Sequence, residues 1–265
     1  MDTSSVCPSH NCESAELQNI AIVPTQIDFE HVRIERQADN HRKIVASIML
    51  KCELPMEYIN TVALNQVLEE TQKTQEQLIA DCRENNTMAT LFARNISKKT
   101  SRQGTRDEQL QMTVCNDTTS KCGIFIENLD VRAYRPTKHG EILTQDQLVS
   151  RNIPKDERLK SFDGKISGKI NGFMFAKVVY GSGGHQDSVF EEADTMCAWI
   201  KQFRNPEKDE VFVILIDTNL TKKMTILQTK YAGVDGLIIM NHVQFQQYII
   251  SKYSNLLRNS FVVSP

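Results

Sequence analysis

The fold is decided by the stretch FDGKISGKINGFMFAKVVYGSGGHQDSVFEE, residues 162–192. Two short β-type segments, residues 161–170 and 172–181, meet at the dipeptide Asn171-Gly172. Both residue types tolerate a positive φ angle, so Asn-Gly between two such segments is a strong signal for a hairpin turn. A glycine-rich segment then leads into apolar residues at helical spacing. The stretch therefore predicts a β-hairpin followed by an amphipathic helix.

The segments on either side of this hairpin predict a mixed sheet covered by helices. Before it, residues 105–119 have the first-turn acids of a helix, and residues 123–136 alternate like one broken strand. After it, the pattern predicts a helix, an apolar strand, a helix, a second apolar strand and a closing helix, over residues 187–203, 210–217, 221–232, 236–241 and 242–257. Apolar strands of this kind are typically buried on both faces. The order α-β-β-β-α-β-α-β-α predicts an α/β (α+β mixed sheet) fold.

The first half of the chain is patterned differently. Residues 1–19 are polar and predict a flexible tail. Across residues 20–55, short β-branched segments alternate with polar turns, which favours short strands. Residues 56–96 carry apolar side chains at helical spacing and predict helix. We therefore expect an N-terminal mainly helical region over residues 20–96 and a separate core over residues 97–265.

The composition is that of an ordinary globular protein. Of the 265 residues, 40% are apolar and 24% are charged, and the seven cysteines lack the spacing of a zinc site. No apolar run reaches the length of about 18 residues that a transmembrane helix needs. The polar N-terminus also lacks the apolar segment of a secretory signal. We expect a cytoplasmic protein with reduced cysteines and no membrane partner.

Two acids and a lysine form a candidate active site. Asp163 begins the first hairpin strand, Lys177 lies near the end of the second, and Glu191 falls in the first turns of the following helix. Folding of the hairpin and return of the helix over the sheet bring the three side chains together. Carboxylates bind Mg²⁺, and a neighbouring lysine stabilises negative charge or activates a water, which suits metal-assisted hydrolysis of a phosphodiester. Each residue also has an ordinary interpretation, as a turn aspartate, a strand-edge lysine and a solvent-facing glutamate.

The order of elements and the three spaced residues resemble the PD-(D/E)xK nucleases, the superfamily of most type II restriction endonucleases. Their α-β-β-β-α-β core matches the predicted order over residues 103–240. The chain departs from the motif in two places: Phe162 stands in place of its proline, and Phe175 stands in place of the acid that normally precedes the lysine by two residues. A subgroup of these enzymes takes that acid from the following helix, where Glu191 and its neighbour Glu192 lie.

The resemblance implies a restriction-endonuclease-like core and a Mg²⁺ site for which Mn²⁺ is a substitute. It implies that Asp163, Lys177 and Glu191 are the catalytic residues, with Asp163 and Glu191 as metal ligands. Nucleases of this superfamily often carry a further acid on the helix before the core strands. Glu108 takes that place here and is a candidate third metal ligand.

A basic stretch just before the core predicts contact with nucleic acid. Residues 94–106, RNISKKTSRQGTR, are rich in lysine and arginine and contain no acid. Lysines in such a stretch contact phosphates, and arginine or glutamine side chains also read base edges. The candidates for DNA binding are Lys98, Lys99, Arg102, Gln103 and Arg106, with His185 and Gln186 from the glycine-rich segment. A solvated loop is the alternative interpretation of the basic stretch.

The sequence therefore predicts an enzyme, a type II site-specific deoxyribonuclease that cleaves double-stranded DNA at a short sequence. A homodimer is expected, because symmetric cutting of a palindrome suits a two-fold assembly. Two alternatives stay open at this point. One is a repair or recombination nuclease of the same fold, and the other is a non-enzymatic nucleic-acid-binding module.

Overall fold

The computed structural model describes residues 21–99, 104–130, 133–180, 185–205 and 207–254. These residues form an N-terminal helical unit and a five-stranded sheet with helices on both faces. The expected tail, residues 1–19, lies outside them. Within these ranges no helix is long and apolar enough to cross a lipid bilayer.

Four helices build the helical unit. They are α1 (Phe29–Lys51), α2 (Thr61–Thr71), α3 (Gln75–Glu84) and α4 (Asn86–Ile96), with a 3₁₀ turn at Met56–Tyr58. Asn60, Thr74 and Asn85 cap α2, α3 and α4, because their side chains accept hydrogen bonds from first-turn N–H groups. Residues 56–96 are thus mainly helical as predicted, but the caps divide them into three helices.

The short strands expected across residues 20–55 are wrong, because α1 occupies most of that range. Ile44 and Ile48 lie four residues apart on one face of α1 and are fully buried in a core shared with α3 and α4. Burial of this apolar stripe outweighs the weak preference of β-branched residues for strands. Residues 21–28 precede α1 without regular secondary structure, and the Asp28 side chain caps the helix.

The second part is a mixed α/β fold built on a five-stranded sheet. In spatial order its strands are β1 (Ile124–Asn128), β4 (Gly164–Gly168), β5 (Asn171–Val179), β6 (Glu210–Thr218) and β7 (Leu237–Met240). β1, β4 and β5 pair antiparallel, whereas β5, β6 and β7 pair parallel. The predicted α/β class with a mixed sheet is confirmed.

Helices cover both faces of this sheet. They are α5 (Gly104–Thr119), α7 (His185–Phe203), α8 (Thr221–Lys230) and α9 (His242–Tyr253). Successive residues of β6 point to opposite faces, so Ile214 packs with α7 and α8 while Val213 and Leu215 pack with α5 and α9. β6 is therefore buried on both faces, as its continuous apolar run predicts. The same prediction for β7 is wrong, because β7 has one neighbouring strand and its four residues are only half-buried.

The chain makes an unpredicted excursion between β1 and β4. The sequence predicts β1 and the segment after it as one broken strand, but only β1 joins the large sheet. Arg135–Pro136 (β2) instead pairs with Ile142–Leu143 (β3), and α6 follows at Gln145–Ser150. The Trp199 indole N–H on α7 donates to the Thr137 carbonyl oxygen at 2.6 Å, which ties the excursion to the main fold. Elements this short do not produce a periodic pattern.

The predicted hairpin is present, but its turn does not lie at Asn171-Gly172 as the sequence predicts. β4 and β5 pair with Ile166 opposite Gly172, so Asn171 and Gly172 belong to β5. The chain reverses before them, helped by Gly168 at φ +103°. Gly172 is needed for a different reason: a Cβ there would lie 1.7 Å from the Val211 carbonyl oxygen, so glycine allows β5 to approach β6.

Candidate functional site

The open end of the hairpin brings Asp163 beside Lys177. Asp163 directly precedes β4, and its N–H donates to the Met174 carbonyl oxygen at 2.9 Å. One step beyond the last β4–β5 pair, the register sets Asp163 opposite Phe175, which puts Lys177 at the diagonal position on the same face. Lys177 Nζ lies 3.3 Å from Asp163 Oδ2. The structure thus brings together two of the three predicted catalytic residues.

Glu108 of α5 is the third member of this group. Lys177 Nζ donates to Glu108 Oε1 at 3.1 Å and to the Ala176 carbonyl oxygen at 2.8 Å. The Ala176 N–H donates to Asp163 Oδ2 at 2.9 Å, which fixes that carboxylate. The side chains of Glu108, Asp163 and Lys177 expose only 16%, 23% and 15% of their surface. We refer to these three residues as the acid–lysine cluster.

Burial and opposite charges act against each other in the acid–lysine cluster. Burial raises the pKa of Glu108 and of Asp163, and the Lys177 ammonium offsets only part of that rise. Burial lowers the pKa of Lys177, but the two carboxylates together outweigh it and the pKa is raised overall. Lys177 is therefore a cation at neutral pH. With both carboxylates ionised, the cluster carries excess negative charge in a largely buried place, which favours a further cation.

Replacement of Glu108 by glutamine is expected to raise the melting temperature at high pH. The pKa of Glu108 in the folded chain lies above its ordinary 4.5, so the ionised side chain destabilises the fold at pH values above the raised pKa. The advantage of Glu108→Gln should shrink as the pH falls through that pKa and vanish below 4.5, where the carboxyl is protonated in both states. Thermal melts without metal across this range measure it, with the exposed Glu127→Gln as control. A Glu108→Gln protein that melts below the parent at high pH would contradict the expectation.

The two neighbouring glutamates on α7 differ in their relation to Asp163, because the charge of Glu192 is among those that raise the pKa of Asp163. Glu192 also lies 3.1 Å from the Lys160 ammonium. Glu191, which the sequence interpretation favours, is exposed and borders the cleft between α7 and α8. Successive helical residues point about 100° apart. Both glutamates border the cleft that Lys160 lines, but only Glu191 also borders the cleft between α7 and α8. Sequence spacing alone could not fix which of them turns towards Asp163.

The cluster has the oxygen donors that Mg²⁺ prefers, although it is not a full protein cage. Within the described ranges, no group of three or more His, Cys, Asp or Glu side chains is arranged to hold a metal. Mg²⁺ usually takes only about one or two protein carboxylates, because it keeps several waters. Glu108 and Asp163 approach the same ammonium at 3.1 and 3.3 Å, and burial disfavours their ionised forms by more than this one ammonium offsets. Glu108 and Asp163 are therefore the two residues of the cluster that could hold Mg²⁺.

The residues predicted to contact DNA lie in different parts of the chain, and the structure describes only some of them. Lys98 is exposed, but its Nζ donates to the Glu57 carbonyl oxygen at 2.8 Å. Lys99 is exposed just after the helical unit, and Arg106 is exposed in the first turn of α5. Outside the described part of the chain lie Arg102, Gln103 and the side chains of His185 and Gln186.

Sequence reasoning did not find the contact that joins the helical unit to this site. Asp107, next to Glu108 on α5, is fully buried. It accepts hydrogen bonds from Arg33 Nε at 2.7 Å and from Arg36 Nη1 at 2.9 Å, both on α1. Arg33 Nη2 also reaches the Val178 carbonyl oxygen of β5 at 3.5 Å. α1 thus contacts α5 and β5, which carry Glu108 and Lys177. The only sequence signal for this contact is the i, i+3 spacing of the two arginines.

A second buried network supports the strand that carries the lysine. Asp217 of β6 accepts a hydrogen bond from Gln111 Nε2 at 2.6 Å and lies 2.7 Å from His242 Nδ1. The Ile27 N–H donates to His242 Nε2 at 3.0 Å, so Nδ1 is the nitrogen that donates to Asp217. Both ring nitrogens are engaged, which gives this pair a structural role. Gln111 Nε2 also lies 3.4 Å from the Lys177 carbonyl oxygen.

Comparison with known proteins does not indicate the class of this protein, so the class is inferred from the site itself. Protein-family models, curated proteins and solved structures give no match to the chain.

Proposed function

We propose that this chain is a Mg²⁺-dependent DNA endonuclease of the restriction type, which hydrolyses phosphodiester bonds at a short duplex sequence. The acid–lysine cluster carries the proposal. An acid before one hairpin strand and a lysine on the partner strand lie 3.3 Å apart, and a second acid lies 3.1 Å from the same ammonium. Two carboxylates for a metal and one cation for the phosphate suit metal-assisted phosphodiester hydrolysis.

The arrangement of elements supports a restriction-endonuclease-like core. α5, β1, β4, β5, α7 and β6 follow one another as α-β-β-β-α-β when the excursion that holds β2, β3 and α6 is set aside. The first three of these strands pair antiparallel, and α7 crosses over to the parallel strand β6. This is the order of elements in the PD-(D/E)xK nucleases that the sequence resembles.

Each residue of the cluster has its own task in the proposed reaction. Glu108 and Asp163 would hold Mg²⁺, which when bound supplies Lewis-acid activation of a water and of the phosphate. Lys177 donates hydrogen bonds to the attacking water or to a phosphate oxygen and stabilises the negative charge that develops there. The Ala176 N–H holds the Asp163 carboxylate in place. A homodimer would place one such cluster at each strand of a duplex.

Glu192 is proposed as the acid that the motif lacks at Phe175. We expect Glu192→Gln to lower the cleavage rate by roughly 10–100-fold, the usual cost of losing a residue that supports a metal ligand. Glu191→Gln should cleave like the parent, and it is a matched control because it removes the same charge from the adjacent position. Single-turnover cleavage of a labelled duplex at fixed Mg²⁺ measures both. If Glu191→Gln is slow and Glu192→Gln cleaves like the parent, the role belongs to Glu191. Parent-like rates in both variants would show that neither glutamate takes part in cleavage.

Digestion of mixed plasmid DNA by the purified full-length protein tests the proposed function. Discrete fragments with Mg²⁺, no cleavage in EDTA and recovery after Mg²⁺ addition are the expected results. Smears, or preferential cutting of branched DNA, would favour a repair or recombination nuclease of the same fold. No cleavage with either Mg²⁺ or Mn²⁺ would contradict the enzyme proposal and favour a nucleic-acid-binding module.

A further inference from the structure

A cleft on the helical unit has the chemistry of a phosphate-binding surface. Its volume is about 480 Å³, and it lies between α1, the start of α2 and the end of α4. Arg94, Lys99 and the amides of Gln66 and Asn95 line it, and none of the described residues that line it is an aspartate or glutamate. The clefts beside α7 and beside β6 are, in contrast, bordered by carboxylates. We refer to it as the helical cleft.

The two cations of the helical cleft are available to a ligand. Arg94 and Lys99 are exposed, and neither forms a hydrogen bond or an ion pair with another described residue. Burial, and then the Arg94 charge, lower the pKa of His41, so the charge of Arg94 acts on the part of the cleft that His41 lines. Glu70 lies outside the lining and accepts a hydrogen bond from Gln66 Nε2 at 2.8 Å. The cleft therefore has a net positive lining.

The helical cleft is built on a fixed floor. Ser97 is buried, and its Oγ accepts a hydrogen bond from Gln37 Nε2 at 2.7 Å and lies 2.9 Å from His41 Nε2. The Lys98 N–H donates to the Tyr58 carbonyl oxygen at 2.8 Å, which pins the backbone that leaves the cleft. Groups that are already ordered lose less conformational entropy when a ligand binds. The ordered residues beneath the cleft therefore favour ligand binding.

α1 connects the helical cleft to the acid–lysine cluster. Gln37 and His41 line the cleft, and Arg33 and Arg36 on the same helix bind Asp107 beside the cluster. These residues are one to eight positions apart along the helix, which corresponds to a rise of at most about 12 Å. Phosphates along one DNA strand are about 3.4 Å apart on the helix axis, so this rise corresponds to at most about four base pairs. A duplex that extends a few base pairs beyond the cluster therefore matches the spacing of these contacts along α1.

We propose that the helical cleft binds the phosphate backbone of duplex DNA a few base pairs from the bond that is cut, with Arg94 and Lys99 as the contacts. A guanidinium pairs with two phosphate oxygens, and a lysine adds a point charge. The inference rests on the proposed function, because it takes the same DNA as its ligand. The helical unit would then help to bind the DNA substrate.

The test compares DNA binding by full-length variants without divalent metal, so that no strand is cut. The Arg94→Ala/Lys99→Ala variant removes both cations of the cleft. The Arg83→Ala/Lys51→Ala variant is the matched control, because it removes an exposed arginine and an exposed lysine outside the cleft on the same helical unit. Fluorescence anisotropy with labelled duplexes of two unrelated sequences at several salt concentrations gives the Kd and its salt dependence.

The cleft variant should bind both duplexes more weakly by a similar factor, and its slope of log Kd against log salt should fall by about 2, roughly 0.9 for each lost phosphate contact. The control should match the parent, and circular dichroism melts should show that all three proteins are folded. Parent-like affinity and slope in the cleft variant, or an equal loss in the control, would overturn the inference. If the parent nevertheless cuts plasmid DNA, only the cleft assignment fails. A parent that neither binds nor cuts DNA would overturn both proposals.

Discussion

Replacing Lys177 by methionine is expected to reduce DNA cleavage by roughly 10²–10³-fold, the scale of losing one group that stabilises transition-state charge. Methionine keeps the unbranched, apolar stem and removes the ammonium that both carboxylates contact at 3.1 and 3.3 Å. Because the Lys177 charge lowers the pKa of Glu108 and of Asp163, its loss raises both further. The residual activity should therefore increase more steeply with pH than that of the parent.

Single-turnover cleavage rates of the parent and Lys177→Met across pH measure this effect. The exposed Lys201→Met on α7 is the control, because it removes the same charge outside the acid–lysine cluster. The proposed role of Lys177 is wrong if Lys177→Met cleaves within a few-fold of the parent while DNA binding is unchanged.

Replacing Asp107 by alanine is expected to lower the free energy of unfolding by about 3–5 kcal/mol, the usual cost of removing one partner of a buried ion pair. The change leaves Arg33 and Arg36 without their shared carboxylate, although their side chains are only 13% and 17% exposed. Urea denaturation of the parent and variant measures the difference. Asp117→Ala, at an exposed position of the same helix, should change the free energy of unfolding by less than about 0.5 kcal/mol. A loss below about 1 kcal/mol in Asp107→Ala would show that the two arginines find other partners or water.

The sheet and its covering helices could be predicted because their apolar patterns are long. In β6 the run from Phe212 to Ile216 is buried at every position, and such a run is typical of a central strand. α1, in contrast, was not predicted from the sequence. Ile44, Val45 and Ile48 are β-branched, and their preference for strands hides a helical stripe whose burial depends on α3 and α4.

The hairpin shows how a local signal can have a tertiary cause. Asn171-Gly172 predicts a turn, but Gly172 is required by the close approach of β6, and the chain turns near Gly168 instead. Although the predicted turn is misplaced, the proximity of Asp163 to Lys177 could still be predicted, because both lie near the open end of the hairpin.

The remainder of the candidate site depends on contacts between distant segments. Which of Glu191 and Glu192 faces Asp163 depends on the rotation of α7 against the sheet, which periodicity fixes only to within one residue. The arginines that bind Asp107 come from a helix about 70 residues earlier in the chain, and no local pattern pairs them with it.

The measurement that tests the central claim most directly is a time course of plasmid cleavage by the parent and by Asp163→Asn, purified in the same way and incubated with Mg²⁺. Asparagine keeps the size of the side chain but removes the charge that holds the proposed metal, so we expect discrete fragments from the parent and a rate at least about 100-fold lower from the variant. Neither protein should cut in EDTA. Equal cleavage by both proteins, or no cleavage by the parent with Mg²⁺ or Mn²⁺, would contradict the assignment of the acid–lysine cluster as a nuclease active site.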